Sequence, residues 1–304
     1  MEQNAENPWI SHMRRGEFAE AWKISDAVLR ARTGQPAWHL PRHLQWVWDG
    51  TPLNKKRVLI RCYHGLGDTI QFIRYAPLVK TIAKTVIVWA QAPLLPLLQM
   101  VNGIDQLLPL HDGAPAIDYD VDVEIMELPH VFRTTLTAIP AQVPYLQVDP
   151  IKFSQNNLVT VGLVWQAGDW DERRSIPFYL LKPLFTLPNI TFYILQMNAP
   201  DAGWQHGFGI YPGDFTLYQY AKIIKGLDLL ISVDSMPAHL AGALGVPVWT
   251  LLHADADWRW LEKRNDSPWY PTMRLFRQEQ GGVWEYVIKR VMKELRNIKK
   301  NTGY

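Results

Sequence analysis

Cysteine is nearly absent: the chain of 304 residues has one, Cys62. That excludes an internal disulfide and a multi-cysteine zinc site. Its setting, VLIRCY, reads as a buried strand carrying an inert thiol. A charge excess is missing as well. Lys and Arg total 31 against 29 acids, a net charge of +2, which gives no reason to expect a nucleic-acid binder, whose basic face tips the balance further. No stretch approaches the roughly 20 apolar residues of a membrane span. The opening residues lack a basic region followed by an apolar run, so no signal peptide is expected, and the expected compartment is a reducing cytoplasm. With 48% hydrophobic and 20% charged residues, the composition is that of a folded chain, not a disordered one.

Tryptophan is abundant. Fourteen occur, concentrated early (Trp9, Trp22, Trp38, Trp46, Trp48) and late (Trp249, Trp258, Trp260, Trp269, Trp284). They either fill a core or offer flat faces on which sugar rings stack; composition alone favours the core. Residues 12–32 carry apolar side chains at helical spacing, interrupted at Gly16, and predict a helix or a helical hairpin. This resembles one tetratricopeptide-type unit without its array. Pro36 to Pro52 is read as a connector.

A βα rhythm begins at RVLIRCY (57–63). The tight turn HGLGD (64–68) and a helix over 69–83 follow, then a strand at 85–91 and a short helix from Pro93. The alternating IDYDVDVEIM (117–126) comes next, and PYLQV (144–148) closes this half. The second half restarts at VTVGLVW (159–165). It continues with a helix near 178–186, a strand at 190–196, a helix at 217–226, a strand at 227–234, a helix at 236–244 and a strand at 246–252. Near-continuous apolar strands alternating with helices predict parallel sheets covered on both faces. The expected fold class is therefore α/β, with two Rossmann-like doubly wound sheets in tandem facing a cleft. The expected domains are a helical extension with connector (1–50), an acceptor domain (51–150) and a donor-binding domain (151–304). The last helix, from Trp284, is amphipathic. Its basic face reads as solvated, with peripheral membrane contact as the competing reading.

Three constellations can carry chemistry. In HGLGD, Gly65 and Gly67 let the backbone turn and approach a ligand. Asp68 stands at a strand's carboxyl end, where open α/β sheets bind ligands. Ile70 occupies the place of the third glycine, so this is not the dinucleotide fingerprint. Asp68 is either a helix cap or a general base, and one residue can be both. In VDSMPAHLAGALGVP (233–247), Asp234 and Ser235 end a strand, Met236 and Pro237 open a helix, and Gly245 ends it. The start of that helix suits a diphosphate, and His239, four residues past Ser235, shares its face. In WQAGDWDERRSIP (165–177), Arg173 and Arg174 follow a strand end, where a guanidinium can neutralise phosphate in place of a metal. The segment 255–278, rich in Trp, Tyr and Arg, opens on to no obvious strand. Two patterns are read as decoys. Asp118, Asp120, Asp122 and Glu124 alternate along an edge strand and are expected to be solvated charges. HLPRH (39–43) has zinc-like spacing spoiled by Pro41.

GLGD, RSIP, VDSxxAHLAGALGVPVW and DWRW…DSPWYPTMRLFRQ together resemble glycosyltransferase family 9, the ADP-heptose:lipopolysaccharide heptosyltransferases, and most nearly bacterial members with N-terminal tetratricopeptide repeats. The resemblance covers about residues 55–295. It implies a GT-B fold, inversion at the anomeric carbon, no metal and no cofactor. It also implies that Asp68 is the catalytic base, that Arg174 stands where the family has a pyrophosphate-binding lysine, and that Asp234, Ser235 and His239 form the donor motif. Gly65, Gly67 and Met236 are grouped with the donor site, and His64, Gln71, Trp258 and Arg259 are candidate sugar or acceptor contacts. Ser235-Met236 replaces the family's Thr-Gly, so the donor need not be ADP-heptose. The expected function is inverting, metal-independent transfer of a sugar, heptose included, from a nucleotide-diphosphate donor to a glycan, lipopolysaccharide, lipid-linked or protein acceptor, in the cytoplasm or at the inner face of its membrane. The competing readings are a non-catalytic nucleotide-sugar-binding module and a GT-B sugar-nucleotide epimerase.

Overall fold

The computed structural model of the protein describes residues 7–32, 47–153 and 158–298. HLPRH, Trp38 and Trp46 lie outside them. The chain forms two compact units. One comprises residues 1–141 and 257–263; the other comprises 142–256 and 264–304. The divide therefore falls before PYLQV, which is not a strand. Its Tyr145 and Leu146 N–H groups donate to the Ala243 carbonyl (3.0 and 3.3 Å) in the second unit.

The first unit opens with α1 (Pro8–Arg15) and α2 (Phe18–Ala31), a helical pair joined at Gly16, whose φ of 79° is a left-handed turn that suits glycine. The pair is docked on the body of the unit. Trp22 Nε1 donates to the Thr134 carbonyl (2.7 Å), and His130 Nε2 meets Asp26 Oδ1 at 2.8 Å. Then come β1 (Arg57–Arg61), α3 (Leu66–Phe72), α4 (Ala76–Ile82), β2 (Thr85–Ala90), α5 (Leu95–Leu98), β3 (Gln106–Pro109), β4 (Val121–Glu124) and α6 (Leu128–Val131). The expected helix over 69–83 starts three residues earlier, at Leu66. It is split by a 3₁₀ turn at Ile73–Tyr75 just before Pro77, which lacks the N–H that a continuous helix requires. The sheet is parallel, in the order β3-β2-β1-β4.

The second unit carries β5 (Val159–Val164), β6 (Ile190–Ile194), α7 (Leu217–Lys225), β7 (Leu229–Val233), α8 (Met236–Ala243), β8 (Val248–Leu252), β9 (Met273–Arg277) and α9 (Glu285–Leu295). Its parallel sheet runs β6-β5-β7-β8-β9. Two expectations change here. The helix near 178–186 is 3₁₀, with Pro183 inside it. The 255–278 segment does reach a strand: Met273, Leu275 and Phe276 are buried, and β9 pairs with β8 from Val248↔Met273 to Leu252↔Arg277. Val287, Ile288, Val291 and Leu295 of α9 pack into the core built on β5 and β7. Among the described residues no helix is long and apolar enough to cross a membrane.

Both strand orders place a topological switch point at the carboxyl edge of the sheet, between β1 and β4 in one unit and between β5 and β7 in the other. Such points are where open α/β sheets take ligands. Helix α8 is held tightly to the rest of the second unit: a Cβ on Gly242 would come within 2.4 Å of the Tyr270 ring, and Tyr270 is fully buried. A rigid ring cannot retreat as a flexible chain end can. Gly242→Ala should therefore lower stability by roughly 1–3 kcal/mol, the usual cost of overpacking. Urea unfolding checks this, and an unchanged midpoint would show that the helix has room to shift.

Candidate functional site

In the first unit β1 ends at Arg61, and Cys62 extends the pairing by donating to the Trp89 carbonyl at 3.0 Å. The Cys62 side chain is fully buried, which pushes its thiol far above the ordinary value, so it is inert as expected. The turn that follows leads into α3 with Gly65 as N-cap, in extended backbone. Neither Gly65 nor Gly67 adopts left-handed backbone. Gly65 is constrained by space instead, since a Cβ there would lie 3.2 Å from Asp68 Oδ2. Gly65 N–H donates to Asp68 Oδ2 at 2.9 Å, so Asp68 is a cap within the first turn. Its Oδ1 is in contact with the Arg259 guanidinium.

Arg259 reaches Asp68 because residues 257–263 return to the first unit. Trp258 drives that return, packing its ring against Trp9 (5.7 Å between centroids), Phe18 (6.2 Å) and Phe72 (6.4 Å). Aromatic pairs at such separations add to the burial energy of the rings. Arg259 lies over the Phe72 and Trp258 rings and also pairs with Asp257 Oδ1 at 2.8 Å. Trp258 and Arg259 are only 9% and 8% exposed, and Gln71 is fully buried. Neither Trp258 nor Gln71 offers a surface to a sugar. Trp22, Trp48, Trp89, Trp165, Trp260, Trp269 and Trp284 are likewise buried. Core filling thus accounts for most of the tryptophans, while Trp170 is 83% exposed.

The alternating acids also differ from expectation. Asp118 and Asp120 are exposed, but Asp122 pairs with Arg61 and Glu124 is buried, 2.9 Å from His64 Nδ1. Edge strand β4 gains a covered face because the turn after β1 folds over its last residue. Neighbouring Glu127 is half-buried. Loss of hydration pushes its carboxyl up to about 7, against hydrogen bonds from the Glu124 and Trp48 N–H groups.

The second unit brings Asp234, Ser235, Met236 and Arg174 together. Ser235 is the N-cap of α8, yet its side chain makes no cap. Its Oγ turns back to the Val233 carbonyl at 3.3 Å. Arg174 Nη1 donates to the Asp234 carbonyl at 3.0 Å, which fixes a cation beside that helix start. Ser235, Met236 and Pro237 line a cavity of about 420 Å³ with Gln166–Asp169 beyond β5 and Gln196–Asn198 beyond β6. That is within the usual range for small-molecule sites. His239 is different: it is 6% exposed, and its Nδ1 is 3.0 Å from the Tyr270 hydroxyl. Among the described residues no group of three or more His, Cys, Asp or Glu converges as a metal site would.

These features define the architecture of the GT-B fold: two parallel-sheet α/β units, the second with a cavity lined by the start of α8. Residues 210–279 match the family model described as glycosyltransferase family 9 (heptosyltransferase), so the resemblance to that family holds over that segment. Protein FlbA of Caulobacter vibrioides is 26% identical over 322 aligned positions, covering 93% of this chain and 53% of that protein; the chain spans about half the length of this relative. Two solved structures share the fold. The glycosyl transferase family 9 of Veillonella parvula has a TM-score of 0.56 at 12% identity, over 84% of this chain and 93% of its own. The E. coli heptosyltransferase WaaC with ADP-2-deoxy-2-fluoro heptose has a TM-score of 0.53 at 14% identity, over 79% and 99%.

Sequence reading did not find the Asp68–Arg259 pair, whose partners are 191 residues apart, although DWRW marked its neighbourhood. Mutation can measure it. Asp68→Asn and Arg259→Met should each destabilise the protein, and the double variant should be more stable than the two losses added together. The expected coupling is roughly 1–3 kcal/mol in a double-mutant cycle. Additive losses would show that the contact contributes nothing.

Proposed function

We propose that the chain is an inverting, metal-independent glycosyltransferase whose second unit holds a nucleotide-diphosphate sugar and whose first unit activates the acceptor hydroxyl. The observation that carries the donor half is the uncapped start of α8 beside Arg174, at the switch point between β5 and β7. Helix N–H groups and a fixed guanidinium stabilise a diphosphate in the ground state. They stabilise it more as charge builds on it during bond breaking. A built-in cation performs the neutralisation that a divalent metal performs elsewhere, while of the acids of 118–124 Asp122 pairs with Arg61 and Glu124 lies beside His64.

The sugar we infer is of the heptose type and its carrier is ADP, supported by the family match over 210–279 and by the ligand in the WaaC structure's name. Asp234, Ser235, Met236 and Arg174 are the proposed donor-binding residues. His239 supports the helix from within through Tyr270. In the first unit the turn 64–68, with Asp68, is the proposed acceptor-activating element, and Gly65 and Gly67 shape it. The acceptor is a glycan, lipid-linked or protein hydroxyl, met in the cytoplasm or at the membrane's inner face.

The test incubates the full chain with ADP-, GDP- and UDP-sugars and follows release of the nucleoside diphosphate, with and without excess EDTA. Release that persists in EDTA is expected. Arg174→Ala should weaken ADP binding by about 1–3 kcal/mol in calorimetry, the value of a charge-assisted hydrogen bond. Release that stops in EDTA and returns with Mg²⁺ overturns metal independence. Binding without any turnover points to a non-catalytic module. A nucleotide sugar altered but not cleaved points to an epimerase.

A further inference from the structure

Strand β8 leaves its sheet beside the start of α8. Val233 of β7 pairs with Leu251 of β8, so two residues further on Ser235 and His253 emerge one strand spacing apart, about 5 Å. The cavity that Ser235 lines opens on its other side, toward β5 and β6. Neighbouring groups hold the His253 ring. Its Nδ1 accepts the Asp255 N–H at 3.1 Å, which assigns the ring proton to Nε2. Gln278, just past β9, ties down the backbone on both sides of His253. Its N–H donates to the Leu252 carbonyl at 2.9 Å, and its Oε1 accepts the Ala254 and Gly282 N–H groups at 3.3 and 3.1 Å. The loop that Gln278 holds carries Gly281. A Cβ there would lie 3.6 Å from His253 Nε2, so the glycine leaves that nitrogen uncovered. Nε2 has no partner among the described residues and is not closed to solvent, although His253 as a whole is only 8% exposed. That is too little for a ring to stack on and enough for one hydrogen bond.

Asp255 supplies the opposite polarity. Its carboxylate is half exposed, and Oδ2 lies 3.5 Å from Arg173 Nη1. Arg173 adjoins Arg174, whose Nη1 donates to the Asp234 carbonyl. An N–H donor and a carboxylate acceptor are thus presented two residues apart, one on a ring enclosed by protein and the other beside a cation. A hydroxyl group both donates and accepts, so the pair suits a polyol. It does not suit a further phosphate, which Asp255 would repel.

We propose that His253 and Asp255 form the subsite that reads the sugar of the donor. His253 Nε2 donates to one hydroxyl oxygen of the sugar, and the Asp255 carboxylate accepts from a sugar hydroxyl. The proposal rests on the donor-binding reading above. Strand order gives the direction. With the nucleoside in the cavity at β5 and β6, and the diphosphate at the start of α8 just past β7, the sugar continues along the same edge to β8. A site built to hydrogen-bond a hydroxyl selects against a sugar that lacks it, because the site's own polar groups are then left unpaired.

Calorimetry on the full chain compares ADP-heptose with ADP. His253→Phe keeps a ring and removes the donor. It should weaken ADP-heptose about tenfold, the loss of one hydrogen bond, and leave ADP affinity unchanged. Asp255→Ala should do the same. Gly281→Ala leaves both side chains in place and sets a methyl group against Nε2 at ordinary contact distance. It should give the same selective loss, so the outcome does not depend on how His253→Phe folds. If His253→Phe and Gly281→Ala weaken ADP-heptose and ADP equally, or weaken neither, the subsite is overturned while the donor cavity stands. A wild-type chain that binds ADP but not ADP-heptose also overturns the subsite. One that binds neither removes the donor reading, and the subsite with it.

Discussion

Parallel strands all end at the same edge of their sheet, and the candidate sites of this chain follow from that constraint. Each strand hands its next residues to that edge before a helix returns the chain, so the side chains just past β1, β4, β5 and β7 are the ones available to a ligand. His64, Asp68 and Glu124 stand there in the first unit; Gln166, Arg174, Asp234 and Ser235 stand there in the second. The centres of the sheets are closed to solvent, with β5 and β7 buried at every residue. The proposed chemistry falls to a few residues on rigid supports, which is the condition for holding a reacting group in place.

The first unit's edge is completed by chain from far away. Trp258 packs among Trp9, Phe18 and Phe72, and Arg259 is thereby set on Asp68. Fully burying an aromatic of this size is worth a few kcal/mol, enough to hold a short segment against its conformational entropy. The N-terminal helices are thus part of the wall that positions Arg259.

The βα alternation could be read directly because nearly every buried strand is a continuous apolar run and nearly every helix shows its period. β3 and β9 were not legible: β3 has only Leu107 and Leu108 between Gln106 and Pro109, and β9 carries Arg274 and Arg277 within five residues. The strand–helix turn at 233–247 was legible because a strand end, a proline-led helix and a closing Gly245 are all local signals, and Gly245 indeed takes a left-handed φ of 71°. What escaped was long-range. Glu124 looked like one more solvated charge until the turn after β1 covered it, and His239 looked like a phosphate ligand until Tyr270 met it from 31 residues on. A pattern in one sequence shows which face a residue takes along its own element. It does not show what a distant element lays over that face.

The proposed mechanism, in which a base activates a hydroxyl for direct attack on the anomeric carbon, permits one displacement and no covalent sugar–enzyme intermediate. The most direct measurement is the anomeric configuration of the sugar at the moment of release, read by NMR on the product of ADP-heptose hydrolysis before mutarotation. Inversion relative to the donor is the predicted result; retention would contradict the single-displacement mechanism and the role assigned to the β1 turn.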